Sequence, residues 1–359
     1  MSTPTDADPA AAAAAGGAAG AATAPLLETR DLKVHFPLRR TKGLRRSTTW
    51  VKAVDGVNLA VGAGETLGIV GESGCGKSTL GSAVLGLRPE ARGEVRYRLA
   101  EGRVIDAARL AGDDAKAYRR EVRMVFQDPF ASLNPRLTLM EIVGEPLRVL
   151  HGVTGSELED RVTDLLQRVG LRREHLNRYP HAFSGGQRQR VSIARALAPQ
   201  PRVVVADEAV SALDVSVRSQ ILNLMQDLQD EMGLTYLFVS HDLSVVEHVC
   251  DRVAVMYLGR IVELGRTAEL YAAPRHPYTE ALISAVPVPD PRVRGGRERI
   301  RLRGELPDPA DAPGGCPFHT RCAYATDRCA SEAPPLREVA PGRMAACHYA
   351  EELTLSGAG

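Results

Sequence analysis

The sequence contains no run of about 18 consecutive apolar residues, so no part of it is expected to cross a membrane as a helix. Residues 10–24 come nearest, but they are Ala and Gly with a single Thr. That is too weakly hydrophobic for a span or for the core of an export signal, and residues 1–25 are expected to form a disordered Ala/Gly tail. A charge excess is also missing. Lys and Arg number 45 against 44 Asp and Glu, which leaves no global field to gather nucleic acid or an anionic surface. No nucleic-acid partner is expected, and any role at a membrane must come through other subunits. What is present is the material of a soluble protein: 359 residues, 44% hydrophobic and 25% charged, are enough for a core and for more than one domain.

Strand patterns open the ordered part of the chain. Residues 32–36 (Leu-Lys-Val-His-Phe) alternate, and residues 66–70 (Thr-Leu-Gly-Ile-Val) form an apolar run that enters a glycine-rich loop. Between them, residues 39–46 are rich in Arg and Lys and read as a solvated loop. A helix is expected at 78–87 and a strand within 119–127. From about 128 to 183 the pattern turns helical, with apolar spacings of three and four over 158–169. Residues 203–206 and 235–240 are continuous apolar strands, of the kind found in a parallel sheet covered on both faces. Past Gly265 the composition shifts to Pro, Arg and Cys, which reads as a separate C-terminal extension. The expected organisation is the tail, an α/β domain over 26–265 with a helical subdomain at about 128–188, and an extension over 266–359.

Gly71-Glu72-Ser73-Gly74-Cys75-Gly76-Lys77-Ser78-Thr79 fits G-x-x-x-x-G-K-[ST] and lies between an expected strand and an expected helix, where a phosphate loop has to be. Its glycines let backbone N–H groups approach phosphates, and the helix N-terminus adds its dipole. Lys77 is expected on the β- and γ-phosphates and Ser78 on Mg²⁺. Cys75 needs no chemistry of its own. Asp207 ends an apolar strand, the edge at which parallel sheets bind ligands, and is expected to reach Mg²⁺ through water. Glu208, the next residue, is the candidate to polarise the attacking water. These features define a P-loop NTPase without saying which kind.

Ser184-Gly185-Gly186-Gln187 opens a predicted helix about two dozen residues before Asp207. It resembles the signature motif of the ABC ATPases, and other elements of that family follow in order. Gln127 resembles the Q-loop residue, Ser211-Ala212-Leu213-Asp214 the D-loop, and His241 the switch histidine. The resemblance implies a P-loop NTPase of ABC type, with a RecA-like core, an antiparallel β subdomain and a helical subdomain. It also implies ATP and Mg²⁺, and a dimer in which Ser184 to Gln187 and Asp214 close on ATP held by the opposite subunit. Gln127 would sense the metal and the attacking water, and His241 would contact the γ-phosphate. Trp50 or Phe36 is the candidate to stack on adenine. Ala209 departs from the family, which commonly has proline after the glutamate.

Residues 126–136, 240–248 and 274–282, with the stretch that begins at Gly304, are similar to the ATPases of dipeptide and oligopeptide importers. The likeness is greatest to the second, F-type, of the two unlike ATPases in those systems. It implies a second ATPase, two transmembrane permeases, an extracytoplasmic peptide-binding protein and a peripheral place on the cytoplasmic face of the cell membrane. Dipeptides, longer peptides, nickel chelates and glutathione all remain open as cargo. Soluble ABC ATPases of DNA repair and translation form a rival class, but they carry two ATPase domains or a long coiled-coil insert, and neither is found here.

Four of the six cysteines, Cys316, Cys322, Cys329 and Cys347, stand near the C-terminal end. In the reducing compartment expected of an unexported chain they should not form disulfides, so four thiolates suggest a metal. A zinc knuckle of C-x₂₋₄-C is missing, although His319 and His348 are near enough to act as ligands. An iron–sulfur cluster accepts Cys₄ at looser spacing, and the resemblance to the importers' C-terminal regions implies a [4Fe–4S] cluster. Zn²⁺ and plain buried thiols are the alternatives. Cys250 follows an apolar stretch and is expected to be packing.

Overall fold

The computed structural model describes residues 24–42, 45–286 and 299–358, so nearly all of the expected tail lies outside the described residues. The chain opens with β1 (Leu27–Lys42), β2 (Arg45–Val61) and β3 (Thr66–Val70), then α1 (Lys77–Val84), β4 (Ala91–Arg98), β5 (Val104–Asp106), α2 (Gly112–Glu121) and β6 (Val122–Val125). A helical stretch follows: α3 (Pro129–Ser132), α4 (Leu139–His151), α5 (Gly155–Arg168) and α6 (Gly185–Leu197). The alternation resumes with β7 (Val203–Asp207), α7 (Val215–Met232), β8 (Thr235–Val239), α8 (Leu243–Val249), β9 (Arg252–Tyr257) and β10 (Arg260–Arg266). Last come α9 (Thr267–Ala272), α10 (Pro277–Ser284), α11 (Asp327–Ser331), β11 (Arg337–Ala340) and β12 (Arg343–Ala345).

Every residue of β3, β7 and β8 is buried, and the physical reason is visible in the side-chain alternation. Val203, Val205, Leu237 and Val239 enter one core, shared with the antiparallel sheet β2-β1-β4-β5 and with α1. Their neighbours Val204, Ala206, Tyr236 and Phe238 enter the other core, shared with α4, α5 and α6. A strand covered on both faces leaves little room for a charge before its carboxyl end, which is why these segments read as mainly apolar runs, with Asp207 only at the last position of β7. The larger sheet runs β11-β12-β10-β9-β3-β8-β7-β6, and β9, β3, β8, β7 and β6 are mutually parallel.

Three expectations change. Of the expected loop 39–46, residues 39–42 and 45–46 are paired strand, with Lys42 opposite Arg45; residues 43 and 44 lie outside the described residues. The first helix runs from Lys77 to Val84 and stops before Gly86, whose φ is 69°. The third change concerns the residues after 265, which are not set apart from what precedes them. β12 pairs with β10, Glu263 opposite Ala345, so the extension adds strands to the main sheet. Phe318, Tyr278 and Ile283 are buried in the same core as Val253 and Val255.

Candidate active site

Because five neighbouring strands run parallel, the residues that follow β3, β6, β7 and β8 emerge on one edge of the sheet. Gly71, Gln127, Glu208 and His241 are brought together there from four separate stretches of sequence. The loop after β3 needs glycine for space as well as for conformation. At Gly76, with φ 108°, a Cβ would lie 1.9 Å from the carbonyl oxygen of Ala53. The Lys77 ammonium is buried and donates to the carbonyls of Gly71 at 2.7 Å and Glu72 at 3.0 Å. Cys75 is buried, and burial pushes its thiol upward.

The Ser78 hydroxyl, at the start of α1, donates to Asp207 Oδ1 at 2.9 Å. Burial raises the Asp207 carboxyl above its ordinary value and the neighbouring Glu208 charge adds to this, while the bond from Ser78 opposes it. Glu208 sits in left-handed backbone, φ 46°, which few non-glycine residues adopt. Its N–H donates to Val239 O at 2.9 Å, and the Ser211 N–H and hydroxyl both donate to its carbonyl. These bonds hold the backbone turn with Ala209, rather than proline, buried beside it. The turn aims the carboxylate between two polar groups: Gln127 Nε2 donates to Glu208 Oε2 at 2.9 Å, and His241 Nδ1 lies 3.2 Å from the same oxygen.

This geometry can be set beside known proteins. A family model described as ABC transporter matches residues 54–211, and one for the C-terminal region of oligopeptide/dipeptide transporters matches residues 262–329. The oligopeptide transport ATP-binding protein AppF of Bacillus subtilis is 52% identical over 324 residues, covering 90% of this chain and 97% of AppF. The chain belongs to the ABC transporter ATP-binding family. OppF of Salmonella typhimurium, an oligopeptide transport ATP-binding protein, is 50% identical over 87% of this chain and 92% of its own. DppF of Haemophilus influenzae, a dipeptide transport ATP-binding protein, is 49% identical over 90% and 97%. Among solved structures, the dimeric ATP-binding cassette MJ0796 bound to ADP and Pi is 30% identical, with a TM-score of 0.57, over 67% of this chain and 98% of that one.

In this ABC ATPase Ser184 and Gln187 form a helix cap. Ser184 Oγ accepts from Gln187 N–H at 3.3 Å, and Gln187 Oε1 accepts from Ser184 N–H at 3.1 Å, which reciprocally satisfies two donors at the start of α6. Ser184 is exposed, whereas Gly186 is buried against α7; a Cβ there would meet Val217 Cγ1 at 2.4 Å. Asp214 precedes α7, exposed and making no side-chain cap bond. Trp50 is 53% exposed, while the Phe36 ring lies under the Arg88 guanidinium at 5.7 Å.

Cys316, Cys322, Cys329 and Cys347 all line one small cavity of about 20 Å³. Desolvation and the other thiols push Cys316 and Cys322 up to about 11, and desolvation raises Cys347 as well. His276, His319 and His348 share the lining. Each has a ring nitrogen engaged with backbone: His276 with Tyr278 N–H, His319 with Cys316 O and His348 with Glu332 O. Among the described residues no group of three or more His, Cys, Asp or Glu side chains is arranged to hold a metal ion. Cys250 is buried against Gly68, where it packs.

Two contacts to the phosphate loop escape any reading of local pattern. The Tyr278 hydroxyl and the Arg321 guanidinium both reach Glu72, from 206 and 249 residues away.

Proposed function

We propose that this ABC ATPase powers the import of dipeptides or oligopeptides, as the F-type member of a pair of unlike ATPases. In this reading it sits peripherally on the cytoplasmic face of the cell membrane beneath two transmembrane permeases, served by an extracytoplasmic peptide-binding protein. The peptide reading rests on what the relatives are named for, oligopeptide and dipeptide transport. Among the described residues no helix is long and apolar enough to cross a membrane, so passage would belong to the permeases.

The observation that carries the ATPase reading is the Glu208 carboxylate held between Gln127 and His241, one residue beyond Asp207 and its bond to Ser78. Residues 71–79 would cradle the phosphates of ATP, with Lys77 leaving the loop carbonyls for the β- and γ-oxygens. The Ser78 hydroxyl and the Asp207 carboxylate are hard oxygen donors that fit Mg²⁺. The ion would supply charge neutralisation on the phosphates. Glu208 would polarise the attacking water, Gln127 would orient it, and His241 would hold the γ-phosphate. Trp50, the more open of the two aromatic candidates, would stack on adenine. Ser184 to Gln187 and Asp214, with Ser184 and Asp214 exposed, would complete the ATP site of the second ATPase.

Glu208→Gln tests the assignment in the assembled transporter. Turnover should fall by about 10²–10⁴, the usual worth of a positioned general base, while ATP binding persists. Hydrolysis near the native rate would remove Glu208 from the role.

The thiol cavity is our candidate for a [4Fe–4S] cluster ligated by Cys316, Cys322, Cys329 and Cys347. What supports this reading is the donor type: four soft thiols line one cavity, and thiolates are the ligands such a group takes. The cluster would supply cross-links between distant points of the extension, a structural task. Protein prepared without oxygen should contain about four irons and four labile sulfides per chain. About one zinc and no iron would promote the Zn²⁺ alternative instead.

A further inference from the structure

The phosphate loop is gripped by a part of the chain to which ATP chemistry assigns nothing. The Glu72 N–H donates to the Tyr278 hydroxyl at 2.8 Å. The Glu72 carboxylate accepts two bonds from Arg321, at 2.6 and 3.0 Å. The Arg321 side chain is 6% exposed and that of Glu72 30%, so the pair is shielded on the arginine's side. Leu306 comes within 3.9 Å of where a Cβ on Gly74 would lie. Arg321 does not depend on Glu72 alone for its place. It ends the short 3-10 helix His319–Arg321, donates from Nε to Arg303 O, and lies over the Tyr257 ring at 5.9 Å. Tyr257 in turn packs ring against ring with Tyr278 and Phe318, the three centroids 4.7 to 5.4 Å apart.

We propose that Arg321 is a positioning residue of the ATP site: it neutralises Glu72 and holds that carboxylate away from the space the phosphates take. The proposal rests on residues 71–79 being the nucleotide loop. The reason is electrostatic. Lys77 is the only cation within those residues, and a bare carboxylate five positions before it would oppose an incoming polyanion in a partly desolvated cleft. Arginine suits the task because its planar fork takes both carboxylate oxygens at once, which fixes direction as well as charge. The Tyr278 hydroxyl meanwhile fixes the backbone of the same residue.

The test uses the full-length chain titrated with Mg-ATPγS, together with ATP turnover by the assembled transporter. Arg321→Met should weaken binding about tenfold, because an unneutralised Glu72 carboxylate then repels the phosphates, and raise the KM for ATP in step. Turnover at saturating ATP should stay within about twofold, because a positioning contact felt by the bound ground state changes KM rather than kcat. Adding Glu72→Gln to Arg321→Met removes the unpaired charge and should restore most of the affinity. Arg321→Lys keeps the charge without the fork and should cost about threefold, again reversed by Glu72→Gln; it carries the test if the Met variant does not fold. Unchanged affinity in Arg321→Met, a loss that Glu72→Gln does not reverse, or a fall in saturated turnover with constant affinity each overturns the proposal. Failure of the nucleotide reading itself would be seen separately, as no Mg-ATPγS binding by the native chain.

Discussion

Replacing Arg343 with Met should destabilise the chain by about 3 kcal/mol, and the deficit should shrink in acid. Glu263 on β10 has a side chain only 2% exposed, and Arg343 on β12 is 9% exposed. The carboxylate accepts from Arg275 N–H at 2.8 Å, His276 N–H at 2.9 Å and Arg343 Nη2 at 3.3 Å. Removing one partner of a buried pair costs about 3–5 kcal/mol, because a charge is left in a poorly polarisable interior. The two backbone donors remain, which places the expectation at the low end of that range. Burial already raises the Glu263 carboxyl above its usual value with Arg343 present, and losing the cation raises it further. A carboxyl whose folded-state pKa exceeds its unfolded one takes up its proton preferentially in the folded chain. Stability is therefore gained as pH falls and lost as pH rises through the folded value. Urea unfolding followed by fluorescence at pH 7.5 and at pH 5.5 reads both effects, and Glu263→Gln combined with Arg343→Met should recover more than half of the loss. A deficit below about 1 kcal/mol, or one that ignores both pH and Glu263→Gln, would refute the reasoning.

Gly76→Ala would press a methyl group against the Ala53 carbonyl at a φ of 108°; with strain of about 1–3 kcal/mol plus the clash, ATP affinity should fall by about 100-fold, measured by titration. Ser184→Arg places bulk and charge at the exposed cap of α6, so turnover by the assembled transporter should drop while the isolated chain still takes up ATP at its own loop. Full complex activity in that variant would argue against closure across subunits. Trp50→Ala should weaken ATP binding about tenfold, as loss of one base-stacking aromatic does, and an unaltered Kd would return Phe36 to consideration.

Much of this was legible because the signals are local. The runs at 66–70, 203–206 and 235–240 are apolar apart from Thr66, Thr235 and Ser240, since both faces of each strand are covered, and the observed strands begin where those runs begin. The loop from Gly71 to Thr79 announces itself through glycines that no larger residue could replace, as the Ala53 carbonyl beside Gly76 shows. Residues 39–42 and 45–46 misled because charge suggests a loop, whereas pairing between β1 and β2 makes them strand. The extension misled for a related reason. It has too few apolar residues for a core of its own, but Tyr271, Tyr278, Ile283 and Phe318 are all buried in the core of the preceding domain.

The sequence by itself determined the P-loop with its strand and helix and the candidates Asp207 and Glu208, because each rests on a pattern over a few residues, while the family, and with it Gln127 and His241, rested on resemblance in the order of several motifs. Only the tertiary structure decided that Gln127 and His241 meet on one oxygen of Glu208, that four thiols spread over residues 316–347 face one cavity, and that Arg321 holds Glu72. Short-range sterics and hydrophobic periodicity write an element's type into its own residues. Contacts across 249 positions depend instead on which strands become neighbours and which surfaces are left to be buried, and that is a property of the whole chain.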